Sequence, residues 1–225
     1  MGEGLLLALG SNLGDRMLNL THALTLLPPA VTIQRCSLVY ETPPWGFLDQ
    51  PAFLNMVIES QTGLEPLELL DRLKFLEEKI GREKSVRYGP RLIDLDILFI
   101  DALQLKTGWL DIPHPRIAER AFVLVPLADL APDLVVPDKG QTIRELLAQV
   151  DRSGISAVTT ADDAAPGDIA LALQSNLAAL DRYQSMPPSH QREYLKHIHE
   201  ARRPATRQRR ITWMVNRLAG EGNLS

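Results

Sequence analysis

Cysteine is almost absent from this 225-residue chain: Cys36 stands alone, which excludes an internal disulfide and a cysteine-built metal cluster and fits a reducing compartment. It lies in a strand-like run and reads as a small buried residue. A basic leader is missing as well. The opening "MGEGLLLALGSN" holds an apolar run too short for a signal peptide or a membrane span, so a soluble, cytoplasmic protein is expected. No stretch repeats itself, and no Ser/His/Asp triad or cysteine nucleophile is evident. The turn "GSNLGD" lacks the following GK[ST] of a Walker phosphate loop, so its glycines fit a tight strand-to-helix turn instead.

What is present is enough apolar material, 45% of residues, to bury a proper core in one domain with an appendage. The net charge of −4 is unevenly spread. Residues 181–218 carry nine Lys/Arg against three acids, which leaves residues 1–180 at −9. Two units with different jobs are implied.

The run "RYGPRLIDLDILFID", residues 87–101, sets two aspartates in an otherwise apolar, branched stretch that reads as a buried strand. Side chains alternate along a strand, so Asp94 and Asp96 share one face while Ile93, Leu95, Ile97 and Phe99 fill the other. Neighbouring buried carboxylates repel, and something cationic should sit between them. Arg82, Lys84, Arg87 and Arg91 stand just upstream, next to Gly81 and Gly89-Pro90. Two hard carboxylates suit Mg²⁺, which completes its shell with water and phosphate, and arginine forks suit the phosphate oxygens. Strand and loop together look like a metal-nucleotide site. An edge strand whose polar face meets water is the plainer alternative. The proline-broken segment "IPHPRIAERAF" adds His114, Arg116 and Arg120.

Along the chain, "GLLLALGSN" reads as a strand and residues 15–27 as an amphipathic helix stopped by Pro28 and Pro29. Strands over about 31–40 and 52–61 flank the loop "ETPPWGFLDQP", and "EPLELLDRLKFLEEKIG" is a second helix before the aspartate strand. This βαββαβ order predicts an α+β, ferredoxin-like antiparallel sheet with helices on one face and the other open to ligands. A hairpin partner near Leu103–Leu105 and a short helix near 142–149 follow. The expected division is a domain over 1–150, an aperiodic linker over 151–167, and a helical appendage over 168–225 with helices at 168–183, 188–203 and 204–218.

Four motifs in this order, "LALGSNLGDR", "ETPPWGFLDQPAFLNMV", "RYGPRLIDLDIL" and "IPHPRIAERAFVLVPLADLAPDL", resemble the 6-hydroxymethyl-7,8-dihydropterin pyrophosphokinase family over residues 4–150. The resemblance implies the ferredoxin-like fold and transfer of the β,γ-diphosphate of ATP to the pterin hydroxymethyl group, with release of AMP, in folate biosynthesis. It implies that Asp94 and Asp96 hold two Mg²⁺ ions and that Arg82 and Arg91 stabilise the phosphates. Lys84, Arg87 and Tyr88 would lie on a loop closing over ATP, with Glu77, Ile97, His114 and Arg120 lining the nucleotide pocket. Phe53 and Phe122 would sandwich the pterin, and Asn55 with the backbone around Thr42 and Pro43 would satisfy its polar edge. Lys84 stands where an arginine is usual, and Tyr88 where a tryptophan is usual. Trp45 and Phe47, on the proline-hinged loop, read either as a lid or as a loop tucked into the core.

Residues 192–218, "REYLKHIHEARRPATRQRRITWMVNRL", are similar to the YdeI or OmpD-associated family. Tyr194, Leu195, Ile198, Ile211, Met214, Val215 and Leu218 can form an apolar stripe, leaving arginines outward. Those arginines read as a solvated face or as a contact for nucleic acid or an acidic protein. Two other functions remain open at this point: a metal-dependent nucleotidyltransferase, and a degenerate unit that binds partners through its tail. Removing residues 155–225 is expected to leave pterin turnover largely intact.

Overall fold

A computed structural model describes residues 3–82, 89–158 and 167–220. The first strand, β1 (Glu3–Ser11), sends Leu5, Leu7 and Leu9 into one core, while Leu6, Ala8 and Gly10 face the other side of the sheet. Helix α1 (Arg16–Leu26) starts where the Asp15 carboxylate accepts the Leu18 N–H at 3.0 Å, and the Pro28-Pro29 pair follows its end.

The strand expected over 31–40 arrives in two pieces, β2 (Val31–Cys36) and β3 (Tyr40–Thr42), both antiparallel to β4 (Phe53–Thr62). Ser37 breaks it: its hydroxyl, in place of a main-chain carbonyl, accepts the Val57 N–H at 2.9 Å. In α2 (Pro66–Ile80), Pro66 opens the helix, Glu68 reaches back to the Glu65 N–H at 3.2 Å, and Gly81 closes it at a φ of 107°. Strand β5 (Asp94–Ile100) completes βαββαβ.

Beyond it come the small pair β6 (Leu105–Lys106) and β7 (Asp111–Ile112), then α3 (Ala121–Leu130). The hairpin β8 (Val135–Val136) and β9 (Gln141–Thr142) leads into α4 (Ile143–Leu147). Within the stretch read as linker, β10 (Ser156–Ala157) adds an edge to the sheet, whose order is β10-β3-β4-β1-β5 with β2 also on β4. The ferredoxin-like α+β arrangement holds. Its second face is not wholly open, however, because α3 packs on β4 and buries Leu6, Val57, Leu98 and Phe99 beneath Val123, Leu124 and Leu127.

Phe99 therefore lies opposite to where strict alternation puts it. A bulge between Leu6 and Leu7 of β1 leaves Leu98 without a partner, so Leu98 and Phe99 both join the α3 side and Ile100 turns to the α1/α2 side. Only the end of this face holding Gly10, Asn55 and Asp94 stays uncovered.

Among the described residues the helical region contains four helices rather than three: α5 (Gly167–Gln174), α6 (Leu177–Gln184), α7 (Pro188–His199) and α8 (Pro204–Ala219). Asn176 makes the extra break by accepting the Ala179 N–H at 3.1 Å and starting a new helix. Ile169, Leu173, Tyr183, Leu195, Ile211 and Met214 form its core. Helices α5 and α7 lie on α1, so every residue from Asn19 to Leu26 is buried.

That interface is polar as well as apolar. Gln191 meets the His22 ring at 2.8 Å and His199 meets Thr21 at 3.0 Å. Gln174 donates to the Ile33 carbonyl and accepts its N–H, at 3.1 and 2.9 Å, as an added strand would along β2. Cys36 packs beside Gly167; burial first, then the Asp168 charge, pushes its thiol up to about 12.

Candidate active site

The cation partners and the aspartates expected from the DLD run do meet. Asp94 and Asp96 both line a cavity of about 260 Å³ at the uncovered end of the sheet, with Arg82, Arg91, His114 and Arg120. Thr42, Pro43, Phe53, Asn55 and Phe122 line the same cavity. Register explains the floor. Gly10 of β1 pairs with Asn55 on one side and Asp94 on the other, and Ala8 pairs with Asp96. Small residues on the central strand leave the space, and a Cβ on Gly10 would stand 2.7 Å from the Asn55 Oδ1. Asn55 in turn donates to the Thr42 hydroxyl at 2.7 Å.

Electrostatically the two aspartates part company. Arg82 donates to Asp94 at 2.7 Å and Arg91 at 2.9 Å. Burial pushes the Asp94 carboxyl up, but Arg91 and Arg82 outweigh it and hold it below the usual range. Asp96 has only Arg120 at 3.7 Å among its ion pairs between described residues. Burial, and then the Asp94 charge, pushes it up to about 6. His114 is pulled down to about 4 by burial and by Arg120, so its ring is neutral at pH 7. Its Nδ1 faces the Arg116 N–H at 3.2 Å and its Nε2 faces the Arg120 guanidinium at 3.4 Å, and the neutral ring, with one acceptor nitrogen, accepts from one of these donors at a time.

Two expected nucleotide residues are not on the cavity wall. Glu77 lies beneath it, 2% exposed, pairing with Arg82 at 2.6 Å and Lys74 at 2.8 Å while accepting the Leu95 N–H at 2.7 Å. Ile97 turns its side chain into the α1/α2 core, the face opposite Asp96. Lys84, Arg87 and Tyr88 fall outside the described residues.

Comparison with known proteins identifies the cavity's owner. The family description 7,8-dihydro-6-hydroxymethylpterin-pyrophosphokinase matches residues 6–132. The chain belongs to this pyrophosphokinase family. A 2-amino-4-hydroxy-6-hydroxymethyldihydropteridine pyrophosphokinase of Methylorubrum extorquens is 45% identical over 68% of this chain and 96% of its own length. One from Bacillus subtilis is 48% identical over 55% of this chain and 75% of its own. The fold is shared with a Plasmodium falciparum HPPK-DHPS crystal structure with pteroate, at a TM-score of 0.55 and 19% identity over 66% of this chain; the matched part is 42% of that longer chain. Residues 164–220 match the description Bacteriocin-protection, YdeI or OmpD-Associated.

Two features of the pyrophosphokinase unit, Lys74 and Asn12, escaped sequence reasoning, while Trp45 reads from sequence as a lid or a tucked loop. Lys74 lines the cavity from α2, one turn before Glu77; the spacing of three was the available signal. Trp45 also lines the cavity, with Arg116 and Arg120 over its ring at 5.5 and 5.4 Å, while Phe47 is exposed. Asn12 is the second of the two. Only 2% exposed, it donates to Gln50 Oε1 at 2.9 Å and the Pro51 carbonyl at 3.1 Å, and its Oδ1 accepts the Arg91 N–H at 2.7 Å. It ties the end of β1 to both the Trp45 loop and the arginine beside Asp94.

Proposed function

We propose that this unit transfers the β,γ-diphosphate of ATP to 6-hydroxymethyl-7,8-dihydropterin in folate biosynthesis. The hydroxymethyl oxygen bonds to the β-phosphorus as the bond from that phosphorus to the α,β-bridging oxygen breaks. AMP leaves with the bridging oxygen, and the hydroxyl proton is released. One observation carries the reading: a carboxylate-arginine cluster and an aromatic-amide cluster share a single cavity. That arrangement can set a flat ring's substituent against a polyphosphate, in line, where placement and electrostatics lower the barrier.

In this reading Phe53 and Phe122 sandwich the pterin, and Asn55 with the Thr42-Pro43 backbone meets its polar edge. Arg91 over the Phe53 ring at 5.7 Å and Arg120 over Phe122 at 5.5 Å put guanidinium charge where the ring side meets the phosphate side. The buried Nε of Arg91 has no acceptor among the described residues, which a phosphate oxygen would supply. His114 and Arg120 face the nucleotide, and Glu77 serves by holding Arg82 and Lys74. Lys84, Arg87 and Tyr88 would close over ATP, the lysine without an arginine's two-pronged geometry.

Asp94 and Asp96 fit a hard divalent cation, proposed as two Mg²⁺ ions. No group of three potential ligands forms among the described residues, so the protein offers two carboxylates and leaves the remaining positions to water and phosphate oxygens. The raised Asp96 carboxyl shows that its charge is under-compensated by the protein alone. When bound, such ions neutralise charge on the transferred group. The presence of only one cysteine supports a reducing, cytoplasmic setting; among the described residues no helix is long and apolar enough to cross a membrane.

Calorimetric titration with a non-hydrolysable ATP analogue, Mg²⁺ and 6-hydroxymethylpterin should show ternary binding, and turnover should release AMP. Release of pyrophosphate instead would make the enzyme a nucleotidyltransferase.

A further inference from the structure

The helical region has a groove that the pyrophosphokinase chemistry does not use. It is an open hollow of about 440 Å³ between α7 and α8, on a face of α7 distinct from the one that Gln191 and His199 turn to α1. Its α7 wall presents His190, Tyr194 and His197, at helical spacings of four and three, with the Glu193 carboxylate beside them. Its α8 wall presents Trp213 and Arg217 at a spacing of four.

The lining joins aromatic rings to a cation, with Glu193 its one carboxylate among the described residues. The Trp213 ring, 47% exposed, lies 6.0 Å from Tyr194 and 6.0 Å from His197, and the Arg217 guanidinium sits 5.3 Å from its centroid. Arg210, one turn before Trp213, donates to the His197 carbonyl and is thereby fixed at the groove's end. Arg210, Trp213 and Arg217 thus make a cation-ring-cation stripe along α8.

We propose that this groove binds a short run of single-stranded nucleic acid, with bases on the Trp213-Tyr194 platform and phosphates on Arg217 and Arg210. Flat π-surface between cations is the arrangement that holds bases and backbone together without reading sequence. The stripe from Arg210 to Arg217 is about 10 Å long at 1.5 Å per residue, close to the rise of about three nucleotides at 3.4 Å each. Charge complementarity extends past the groove: Arg207 is buried on Asp168, but the other eight basic residues against three acidic ones over 181–218 attract a polyanion, whereas a small anion would meet only Arg217 and Arg210. An acidic peptide would use the same charge but leave the rings without a partner.

Fluorescence anisotropy of a labelled ten-residue oligouridylate on the full-length protein tests this, with Mg²⁺ and a non-hydrolysable ATP analogue saturating the catalytic cavity. Binding should be measurable below about 100 µM at low salt. Trp213→Ala should weaken it about tenfold, the usual loss for a stacked base. Arg217→Glu should weaken it further, and both variants should keep wild-type thermal stability and AMP release. A duplex of the same length or a decameric polyglutamate should bind at least about tenfold more weakly than the oligouridylate. The proposal is overturned by no binding, by unchanged affinity in Trp213→Ala, or by equal binding of the duplex or of polyglutamate, the last of which would point to an acidic protein partner.

Discussion

Asp94 and Asp96 are two positions apart and face the same cavity, yet among the described residues two arginines clamp the first while the second has Arg120 at 3.7 Å. Alanine at either position should cut AMP release in steady-state assays by about two orders of magnitude or more, with far-ultraviolet circular dichroism unchanged. Because Asp96 is pushed up to about 6, protons and a divalent cation compete for its oxygens. The Mg²⁺ dissociation constant should be flat above about pH 7 and rise up to tenfold per pH unit below about 6; a flat profile down to pH 5 in calorimetry would contradict the assignment. The pairing of the two carboxylates was legible because a period of two is all it needs. Asn12 was not, since its partners Gln50 and Arg91 are 38 and 79 residues away. Asn12→Asp keeps the acceptor for Arg91 but loses the donor to Gln50 and Pro51. It should raise the KM for the pterin with little change in kcat, whereas Asn12→Ala should raise KM and lower kcat together, each lost buried hydrogen bond costing about 1–3 kcal/mol.

At the scale of elements, β1 decides where the site can be. Its outer positions diminish from Leu6 through Ala8 to Gly10, so the covered half of the sheet gives way to the cavity along one strand. Gly10→Ala should push Asn55 off Thr42 and weaken pterin binding about tenfold by calorimetry, with the Asp94 end unaffected. The chain order βαββαβ was readable from apolar periods and proline or glycine stops. Two departures were not. Ser37 replaces a main-chain acceptor with its hydroxyl, and the bulge at Leu98 reverses the parity of Phe99; both depend on what the partner strand offers. For the same reason α3 read as a helix without revealing that it roofs half of the second face.

For the whole molecule, the helical region is a wall of the first core. It covers the outer side of α1, extends the β2 edge through Gln174, and supplies Gln184 to the Thr25 and Pro28 carbonyls at 3.0 and 2.7 Å. Removing residues 155–225, expected to leave pterin turnover largely intact, would uncover that side of α1 and cost stability. The truncated chain should melt at least about 10 °C lower in calorimetric scans, as loss of several kcal/mol does in a domain this size. Acid should loosen the same interface. His22 and His199 are both pulled below their usual range, chiefly by burial, so the unfolded state takes up protons first. Their stabilisation is complete above about pH 6.5 and declines as pH falls below it. A melting temperature that drops between pH 6.5 and 5 in the wild type, and less in His22→Gln/His199→Gln, would show it.

The amino-acid order by itself determined the βαββαβ succession, the shared face of Asp94 and Asp96, and the arginines and aromatics that accompany them, because each follows from spacing within one short segment. The tertiary structure alone decided that Glu77 braces Arg82 from below, that Ile97 turns away from the cavity, and that α1 is enclosed by the chain's last quarter. Those outcomes depend on contacts between segments distant in sequence, where burial and hydrogen bonding select one partner among many that local pattern permits.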